Sequence, residues 1–364
     1  MRVIITAGGT GGHIYPALAI LNKIKEKEPN SEFLYIGTHN RMEKDIVPKA
    51  GYNFESIEIY GFSKTLIKQD IKNIGLIHKA YKKCLKIIKE FKPDIVIGVG
   101  GYVTFPVIMA AHKLKIKTFL HEQNSIPGKS NKVLIKFADK IGVSFKDSMK
   151  YFPENKCEYT GNPCSENALN IKAVSRTKYG LTYDKKAIVI VQGSLGSKIM
   201  NDKMLPYLQS IDNEEYNVLY VSGKNYYEDY SKNKFSKNVK VVPFVDNLSS
   251  LLKDIDLLIT RAGASTISEI TSLGLPSILI PSPYVANNHQ YYNALSLKNN
   301  NASLLIEEKD LNENTLKENI NKILNDNGIY NEYKNNLLKL SVPNSSTIIY
   351  EIIKKMISDV NEEK

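Results

Sequence analysis

Short runs of apolar residues recur along the chain, and each ends in glycine or in polar residues. In the first half these runs lie at residues 3–6, 33–37, 95–99 and 117–120. Short apolar runs bounded in this way are typical of buried parallel strands. Between them, helices are predicted at 16–27 and 71–91, where apolar positions recur at helical spacing. This alternation predicts an α/β fold, a parallel sheet with helices on both faces.

The same pattern starts again at residues 187–191. Further strands are predicted at 216–221, 239–242, 257–260, 277–280 and 302–305, and a last helix at 346–360. A chain of 364 residues is too long for one compact core and suits two domains. We therefore predict a first α/β domain over residues 1–163, a second over 164–344, and a C-terminal helical segment over 345–364.

Composition and charge narrow the function classes. No apolar run approaches the roughly 20 residues of a membrane-spanning helix, and the N-terminus lacks signal-peptide features, so a cytoplasmic protein is expected. The three cysteines and six histidines show no metal-ligand spacing, and no metal is expected. A net charge of +11 favours anionic partners, which are nucleic acid, an anionic membrane surface or phosphorylated substrates.

Four glycine-containing turns follow predicted strands. They lie at residues 8–13, 98–102, 192–197 and 261–266. Such turns place backbone N–H groups at a helix N-terminus, where they can bind phosphate. None of them matches the dinucleotide-binding fingerprint or the P-loop. Because two turns lie in each half, they predict a single ligand cleft between two domains.

Polar residues beside the later turns fit a nucleotide sugar. A carboxylate at Glu269 can accept hydrogen bonds from both ribose hydroxyls, although an acidic residue near a helix N-terminus is also typical of dipole stabilisation. The segment 287–290, Asn-Asn-His-Gln, carries amides that both donate and accept, as sugar hydroxyls require. An ordinary polar loop is the alternative for that segment.

Seven segments of the chain occur in an order that one enzyme family shares. They are residues 8–13, 100–103, 121–124, 161–163, 192–194, 261–269 and 288–290, which read GGTGGH, GGYV, HEQN, GNP, QGS, RAGASTISE and NHQ. With them the chain resembles, over nearly its whole length, the MurG family of bacterial N-acetylglucosaminyltransferases of peptidoglycan synthesis.

The resemblance implies both a fold and a reaction. The fold is GT-B, in which two Rossmann-like domains with parallel sheets face each other across a cleft and the C-terminal helix crosses back to the first domain. The reaction transfers GlcNAc from UDP-GlcNAc to the MurNAc 4-hydroxyl of lipid I, an undecaprenyl-diphosphate carrier. The product is lipid II, with inversion at the anomeric carbon.

The resemblance also implies substrate contacts in the first domain. Thr10, Gly11 and Gly12 are expected to approach the donor sugar or the acceptor diphosphate, and Asn124 to contact GlcNAc. The family often carries an arginine two residues after Gly-Asn-Pro, where this chain has Ser165. A phosphate contact at that position is therefore in question.

In the second domain the resemblance implies a complete donor site. Val245 is expected to offer backbone groups to the uracil, Glu269 to bind the ribose hydroxyls, and Gln290 with His289 to hold GlcNAc. The remaining contacts to the diphosphate and ribose are expected from Ser194, Ala264, Ser265, Thr266, Ile267 and Ser268. We hypothesise that Arg261 or Lys198 supplies the charge that Ser165 lacks.

Inverting transfer needs a base that removes the proton of the acceptor hydroxyl. His13 is the candidate, because histidine titrates near neutral pH and this one directly follows a glycine turn; Glu122 is the competitor. Helix N-termini and hydroxyls can stabilise the leaving diphosphate without a metal, so no cofactor is expected.

A basic amphipathic stretch indicates a membrane surface. Residues 61–92 contain nine lysines and only two acidic residues, interleaved with apolar ones. Such a stretch suits the anionic cytoplasmic face of the cell membrane, where a peripheral protein would meet a lipid-linked acceptor. The alternative is a helix that packs on the core with a solvated lysine face.

Other functions on the same fold remain open at this stage. A UDP-GlcNAc 2-epimerase would use the same donor pocket without a lipid acceptor, and a glycolipid synthase would transfer to a different lipid. No nucleic-acid-binding motif accompanies the positive charge, so nucleic acid is not an expected partner.

Overall fold

The computed structural model describes residues 1–61, 67–193, 196–211 and 215–362, with backbone only at 67–72 and 360–362. The chain forms two compact units. Unit 1 contains Met1–Glu166 and Val342–Lys364, and unit 2 contains Asn167–Ser341. Each unit is an α/β domain built around one parallel sheet, and the two are described separately below.

Unit 1 is built on a seven-stranded sheet. Its strands are β1 (Arg2–Thr6), β2 (Glu32–Thr38), β3 (Asn53–Ile57), β4 (Ile95–Gly98), β5 (Lys117–Glu122), β6 (Lys140–Val143) and β7 (Cys157–Tyr159). Its helices are α1 (Gly11–Lys27), α2 (Glu43–Lys49), α3 (Ile67–Phe91), α4 (Thr104–Lys113) and α5 (Lys129–Leu134), and α6 (Cys164–Asn170) leads out of the unit. The strand order is β3-β2-β1-β4-β5-β6-β7, and all pairs are parallel.

Unit 2 repeats this plan with six strands. They are β8 (Lys186–Val191), β9 (Tyr216–Val221), β10 (Val239–Val242), β11 (Leu257–Thr260), β12 (Ser277–Leu279) and β13 (Leu304–Leu305). The helices are α7 (Lys198–Ser210), α8 (Tyr227–Tyr230), α9 (Leu248–Leu251), α10 (Ala264–Leu273), α11 (His289–Asn299), α12 (Glu313–Leu324) and α13 (Asn327–Leu340). The order β10-β9-β8-β11-β12-β13 is again parallel throughout.

The C-terminal helix α14 (Ser345–Glu362) belongs to unit 1. Its apolar face buries Ile349, Tyr350, Ile353 and Met356 in the same core as α1 and β1. Burial of each large apolar side chain contributes about 1.5–3 kcal/mol. The chain therefore returns to its first unit through this helix, as the family resemblance implied.

The predicted α/β architecture is confirmed, and the differences lie in three strands of the first sheet and in the start of α1. Strands β3, β6 and β7 were not predicted. β3 and β7 are edge strands with polar residues between the apolar ones, so they lack the continuous apolar run of a buried strand. α1 begins at Gly11, five residues before the predicted start at residue 16, and its first turn therefore includes His13.

The glycine turns lie where the strand order reverses in each sheet. In unit 1 two of them follow β1 and β4, which are neighbours at the centre of the sheet. In unit 2 the other two follow β8 and β11, which are also neighbours. Ligands of open α/β sheets bind beyond the carboxyl ends of strands at such reversal points. Separately, no helix in the described ranges is long and apolar enough to span a membrane.

Candidate active site

The two glycine turns of unit 1 contact each other through backbone atoms. Gly8 N–H donates to Gly100 O at 3.3 Å. Gly101 has a φ of +88°, and a Cβ on it would lie 2.5 Å from Gly8 O. Because backbone cannot give way as a side chain can, this close approach requires glycine at 101. The turns after β1 and β4 therefore pack directly against each other, and together they are called the glycine edge.

His13 lies on this edge, in the first turn of α1. Its Nδ1 is 3.0 Å from Gly8 O. A carbonyl oxygen only accepts, so Nδ1 carries the hydrogen and Nε2 carries the lone pair. The ring packs on Gly100, where a Cβ would be 2.7 Å from His13 Cδ2 and 3.0 Å from Nε2. The side chain is partly exposed. This is the tautomer that a general base needs.

The other predicted residues of this turn surround the start of α1. Thr10 is the N-cap residue and is exposed, and Gly11 and Gly12 form the first helical turn. The Thr10 side chain makes no capping hydrogen bond. The first N–H groups of α1 thus face the carboxyl edge of the sheet, where they suit an anionic group.

A buried carboxylate that was not predicted supports the same turn. Glu43, at the start of α2, is fully buried. It accepts hydrogen bonds from Thr38 Oγ1 at 2.6 Å, Thr38 N at 3.0 Å and Gly9 N at 3.2 Å. It therefore ties the end of β2 to the first glycine turn. The sequence shows only an acidic residue at a helix start, which is too common to single out.

Glu122 is the last residue of β5, and both oxygens of its carboxylate accept hydrogen bonds from neighbouring residues. Only 2% of it is exposed. Oε1 accepts from Asn124 N at 3.0 Å and Asn124 Nδ2 at 3.2 Å. Oε2 accepts from Gly128 N at 2.9 Å and Asn131 Nδ2 at 2.8 Å. A carboxylate with four donors already in place is a poor acceptor for a substrate proton, so this geometry favours His13 as the base.

The neighbouring residues of the same strand end are also held firmly. His121 Nε2 is 3.0 Å from Gly161 O, and Gln123 Nε2 is 2.9 Å from His121 Nδ1. Burial lowers the pKa of His121 to about 4, while its hydrogen bond to Gly161 O opposes that shift. His121 is therefore neutral at physiological pH and acts as a structural link.

The structure buries Ser165 within unit 1. It is 2% exposed, and its hydroxyl contacts Asn162 O at 2.8 Å, Val342 O at 2.8 Å and Ser345 Oγ at 2.7 Å. These contacts tie α6 to the start of α14 within unit 1. A hydroxyl with three such partners has no capacity left for a phosphate. The expectation of a substrate contact at Ser165 is therefore not supported by its position.

In unit 2 the turn after β8 is only partly described. Ser194 lies outside the described residues. The flanking glycines have positive φ values, +97° at Gly193 and +74° at Gly196, and a Cβ on Gly196 would collide with Ser222 O. Lys198, the first residue of α7, is exposed. A positive charge at this helix N-terminus remains a candidate partner for the donor diphosphate.

The turn after β11 leads into α10, which carries most of the predicted donor contacts. Ala264 is its first residue, and Ser265, Thr266, Ile267 and Ser268 form the following turn. The Ser265 hydroxyl is buried and finds no hydrogen-bond partner among the described residues. A buried hydroxyl beside the first N–H groups of a helix suits a phosphate oxygen.

Arg261, at the end of β11, has a structural partner. Its Nη2 donates to Glu308 Oε2 at 2.6 Å, and its Nη1 donates to Ile280 O at 3.2 Å. Both charged side chains of this pair are nearly buried. Removing the guanidinium from this pair would leave a buried carboxylate unpaired, which is costly. The pairing with Glu308 argues against Arg261 as the replacement for the missing arginine, and that hypothesis stays a prediction.

Glu269 lies one turn into α10 and contacts α9. Ser249 Oγ donates to its carboxylate at 2.5 Å. Val245, the predicted uracil contact, is 5% exposed and lies four residues before Ser249. Burial raises the pKa of Glu269 to about 7, and the Ser249 hydrogen bond opposes the shift. The structure thus brings the predicted ribose and uracil residues to neighbouring segments.

The predicted GlcNAc residues begin α11. Asn287 and Asn288 both adopt left-handed backbone conformations, with φ of 55° and 51°. They turn the chain so that Gln290 Oε1 accepts from Ser282 N at 2.8 Å. His289 Nδ1 is 2.8 Å from Ala286 O. Because Oε1 is the acceptor in this contact, the NH₂ group of Gln290 points away from Ser282 N.

Asn293, which was not predicted, joins α11 to the turn after β11. It is fully buried, and its Nδ2 donates to Ala262 O at 3.2 Å. Predicted GlcNAc and diphosphate residues are therefore held on adjacent elements of unit 2. A buried asparagine one turn beyond Gln290 has no distinguishing signal in the sequence. In the described residues, no group of histidine, cysteine and acidic side chains could hold a metal ion.

Known proteins similar to this chain cover both units. Residues 3–143 match the glycosyltransferase family 28 N-terminal domain, and residues 187–347 match the family 28 C-terminal domain. A UDP-N-acetylglucosamine--N-acetylmuramyl-(pentapeptide) pyrophosphoryl-undecaprenol N-acetylglucosamine transferase of Bacillus cereus is 41% identical, over 98% of this chain and 100% of its own. One of Bacillus licheniformis is 42% identical, over 98% and 99%.

Solved structures show the same fold. The crystal structure of Acinetobacter baumannii MurG superposes with a TM-score of 0.79 at 26% identity, over 97% of this chain and 99% of that one. A UDP-GlcNAc 2-epimerase of Neisseria meningitidis, bound to UDP-GlcNAc, has a TM-score of 0.69 at 15% identity, over 98% and 100%. The second likeness concerns the fold alone.

Proposed function

The chain belongs to the MurG family of N-acetylglucosaminyltransferases, and on that premise we propose that it transfers GlcNAc from UDP-GlcNAc to lipid I. The acceptor is the MurNAc 4-hydroxyl of the undecaprenyl-linked substrate, and the product is lipid II. The observation that carries this proposal is the 41% identity to a transferase of that name over 98% of this chain and 100% of that one.

In the proposed reaction, His13 Nε2 takes the proton of the acceptor hydroxyl. The hydroxyl oxygen then forms a bond to the anomeric carbon, while the bond from that carbon to the UDP phosphate oxygen breaks. UDP leaves with the electron pair. Attack from the side opposite the leaving group inverts the anomeric centre. The Nδ1–H donated to Gly8 O orients the ring and stabilises the imidazolium that forms.

The donor site of the proposal lies on unit 2. The helix-start N–H groups of α10 and the buried Ser265 hydroxyl suit the diphosphate, and they stabilise the charge that develops as UDP leaves. Glu269 suits the ribose, and Gln290 suits GlcNAc through its amide. Helix-start donors of this kind are already oriented before the reaction begins, so little reorganisation accompanies bond breakage.

Transfer of radiolabelled GlcNAc from UDP-GlcNAc to a lipid I analogue tests the proposal directly. We expect label in the lipid product only when both substrates are present. The 2-epimerase alternative is tested by incubating the protein with UDP-GlcNAc alone. Formation of UDP-ManNAc without lipid product would replace the transferase proposal with the epimerase one.

Donor affinity is expected to rise with pH through the pKa of Glu269. Ionised Glu269 accepts from both ribose hydroxyls, whereas the protonated acid accepts less well. With a pKa of about 7, the ionised fraction falls about tenfold between pH 8 and pH 6, and affinity for UDP-GlcNAc should fall by a similar factor. Calorimetric titration across this range measures it.

The variant Glu269→Gln is the matched control for this pH dependence. It keeps the shape of the side chain and removes the titration, so its affinity should be weak at pH 8 and independent of pH. Equal affinity of the unmodified protein at pH 6 and pH 8 would remove Glu269 from the ribose site.

We also propose that unit 1 binds the anionic cytoplasmic face of the membrane through α3. Ile74 is 61% exposed on this helix, and the lysines at 79, 82 and 89 are exposed on its solvent side. Its opposite side buries Cys84 and Ile88 in the core of unit 1. Lys64, in the same basic stretch, lies outside the described residues. An exposed apolar residue among lysines suits a lipid surface.

Vesicle co-sedimentation tests the membrane proposal. Each lysine near an anionic surface contributes about 1 kcal/mol, so Lys79→Ala/Lys82→Ala/Lys89→Ala should weaken binding to phosphatidylglycerol vesicles by about 100-fold. The matched control, Lys232→Ala/Lys298→Ala/Lys322→Ala, removes the same charge from exposed positions of unit 2 and should bind normally. Equal losses in both variants would show a general charge effect rather than a surface on α3.

A further inference from the structure

Gln123, directly after β5, has an amide whose orientation is determined by its neighbours. It is 1% exposed. Its Nε2 lies 2.9 Å from His121 Nδ1 and 3.1 Å from His121 O. His121 Nε2 must donate to Gly161 O, because a carbonyl only accepts, so Nδ1 of this neutral ring is an acceptor. The group facing His121 is therefore the NH₂ of Gln123, and Oε1 points the other way.

The oxygen of Gln123 is directed at the glycine edge that carries the His13 ring. A Cβ placed on Gly100 would lie 3.4 Å from Gln123 Oε1 and 3.0 Å from His13 Nε2. The two atoms thus approach the same side of Gly100. Oε1 is buried and has no hydrogen-bond partner within the described part of the chain. A buried acceptor of this kind is a costly arrangement unless a donor reaches it at some stage.

Protonation of His13 supplies such a donor. In the neutral ring Nδ1 carries the hydrogen and Nε2 is an acceptor, so both atoms that approach this side of Gly100 are acceptors. When Nε2 takes a proton it becomes an N–H donor, and the buried Oε1 of Gln123 is an acceptor on the same side of Gly100 that has no partner among the described residues. A hydrogen bond to a charged donor is stronger than one between neutral groups.

We propose that Gln123 is a positioning residue for His13, holding through Oε1 the imidazolium that forms on proton transfer. His121 acts behind it by holding the amide in the required orientation. This inference rests on the proposed role of His13 as general base, but it concerns a hydrogen bond that protonation of His13 alone should form, without turnover.

The titration of His13 in the full-length protein tests the contact. The chain has six histidines, so ¹³C-labelled histidine gives a resolvable NMR spectrum, with His13→Gln assigning the signal. Gln123→Met removes the acceptor and should lower the pKa of His13 by about one pH unit, a tenfold change in proton affinity. Gln123→Glu adds negative charge at the same point and should raise it.

The two variants are expected to shift the pKa of His13 in opposite directions. A general loss of structure would shift it in the same direction in both, so the two explanations can be told apart. Gln209→Met makes the same change at an exposed glutamine of unit 2 and should leave the His13 titration unchanged. In the transfer reaction, Gln123→Met should lower kcat, leave the donor KM unchanged and shift the acidic limb of the pH profile to lower pH.

The outcomes also separate this inference from the proposed function. An unshifted His13 titration in both Gln123 variants, with lipid transfer intact in the unmodified protein, would overturn the contact. Absence of lipid transfer, together with opposite shifts in the two variants, would overturn the transferase proposal and leave the contact standing.

Discussion

Replacing His13 with asparagine is expected to lower kcat by about 10²- to 10⁴-fold, the usual contribution of a general base. Asparagine can still donate from its amide to Gly8 O, the contact that His13 Nδ1 makes at 3.0 Å. It has no nitrogen lone pair with which to take a proton. The glycine edge should therefore keep its structure while the chemical step slows. Single-turnover transfer to a lipid I analogue measures the loss.

Donor binding is the control for this variant. The predicted donor residues from Val245 to Gln290 all lie in unit 2, whereas His13 lies in unit 1. Calorimetry should give the same UDP-GlcNAc affinity for His13→Asn, His13→Ala and the unmodified protein. Turnover within a few-fold of normal in His13→Ala would mean that another group is the base.

The second large effect is expected from Glu122→Gln, and it is an effect on structure. The carboxylate accepts four hydrogen bonds, two on each oxygen. In the glutamine variant an NH₂ group replaces one of the two oxygens. The two donors that faced this oxygen then lose their hydrogen bonds and meet N–H groups instead. We expect roughly 2–4 kcal/mol of lost local stability.

Hydrogen exchange locates this loss. The backbone N–H groups of Asn124 and Gly128 both donate to Glu122, and whichever side meets the NH₂ group should exchange about 100-fold faster, as expected for ~3 kcal/mol. Glu154→Gln, the same change at an exposed position, should have no effect. If protection stays normal while kcat collapses, Glu122 rather than His13 is the base.

The central strands were predictable because each is a continuous apolar run. Such a run can be recognised in the sequence without knowing which strands lie beside it in the sheet. β11 was predicted with its bounds unchanged, at Leu257–Thr260. β3 was missed because an edge strand with polar residues does not stand out from loop. The start of α1 was misplaced because Pro16 is typical of a first helical turn, whereas apolar packing of Ile14 extends this helix backward to Gly11.

Only part of the candidate site was predictable from the sequence. Glycine turns at strand ends identify a phosphate-binding edge from local pattern alone. Ser165 and Arg261 show the limit of that reasoning, since each has a type and position compatible with phosphate binding. The hydroxyl of Ser165 is hydrogen-bonded to Val342 O and Ser345 Oγ, and Glu308 pairs with Arg261. These partners lie far along the chain, so no local pattern reveals them.

Apolar periodicity and glycine placement are local properties, and they were enough to predict two parallel α/β sheets with phosphate-binding turns at their carboxyl edges. The chemistry of individual side chains depended on contacts made after folding. Gly8 O selects the tautomer of His13, and the donors around Glu122 saturate its carboxylate. The direction of Gln123 Oε1 follows from a hydrogen bond between His121 and Gly161, 40 residues apart. Hydrogen bonds join atoms by distance in space, and folding alone brings those atoms together.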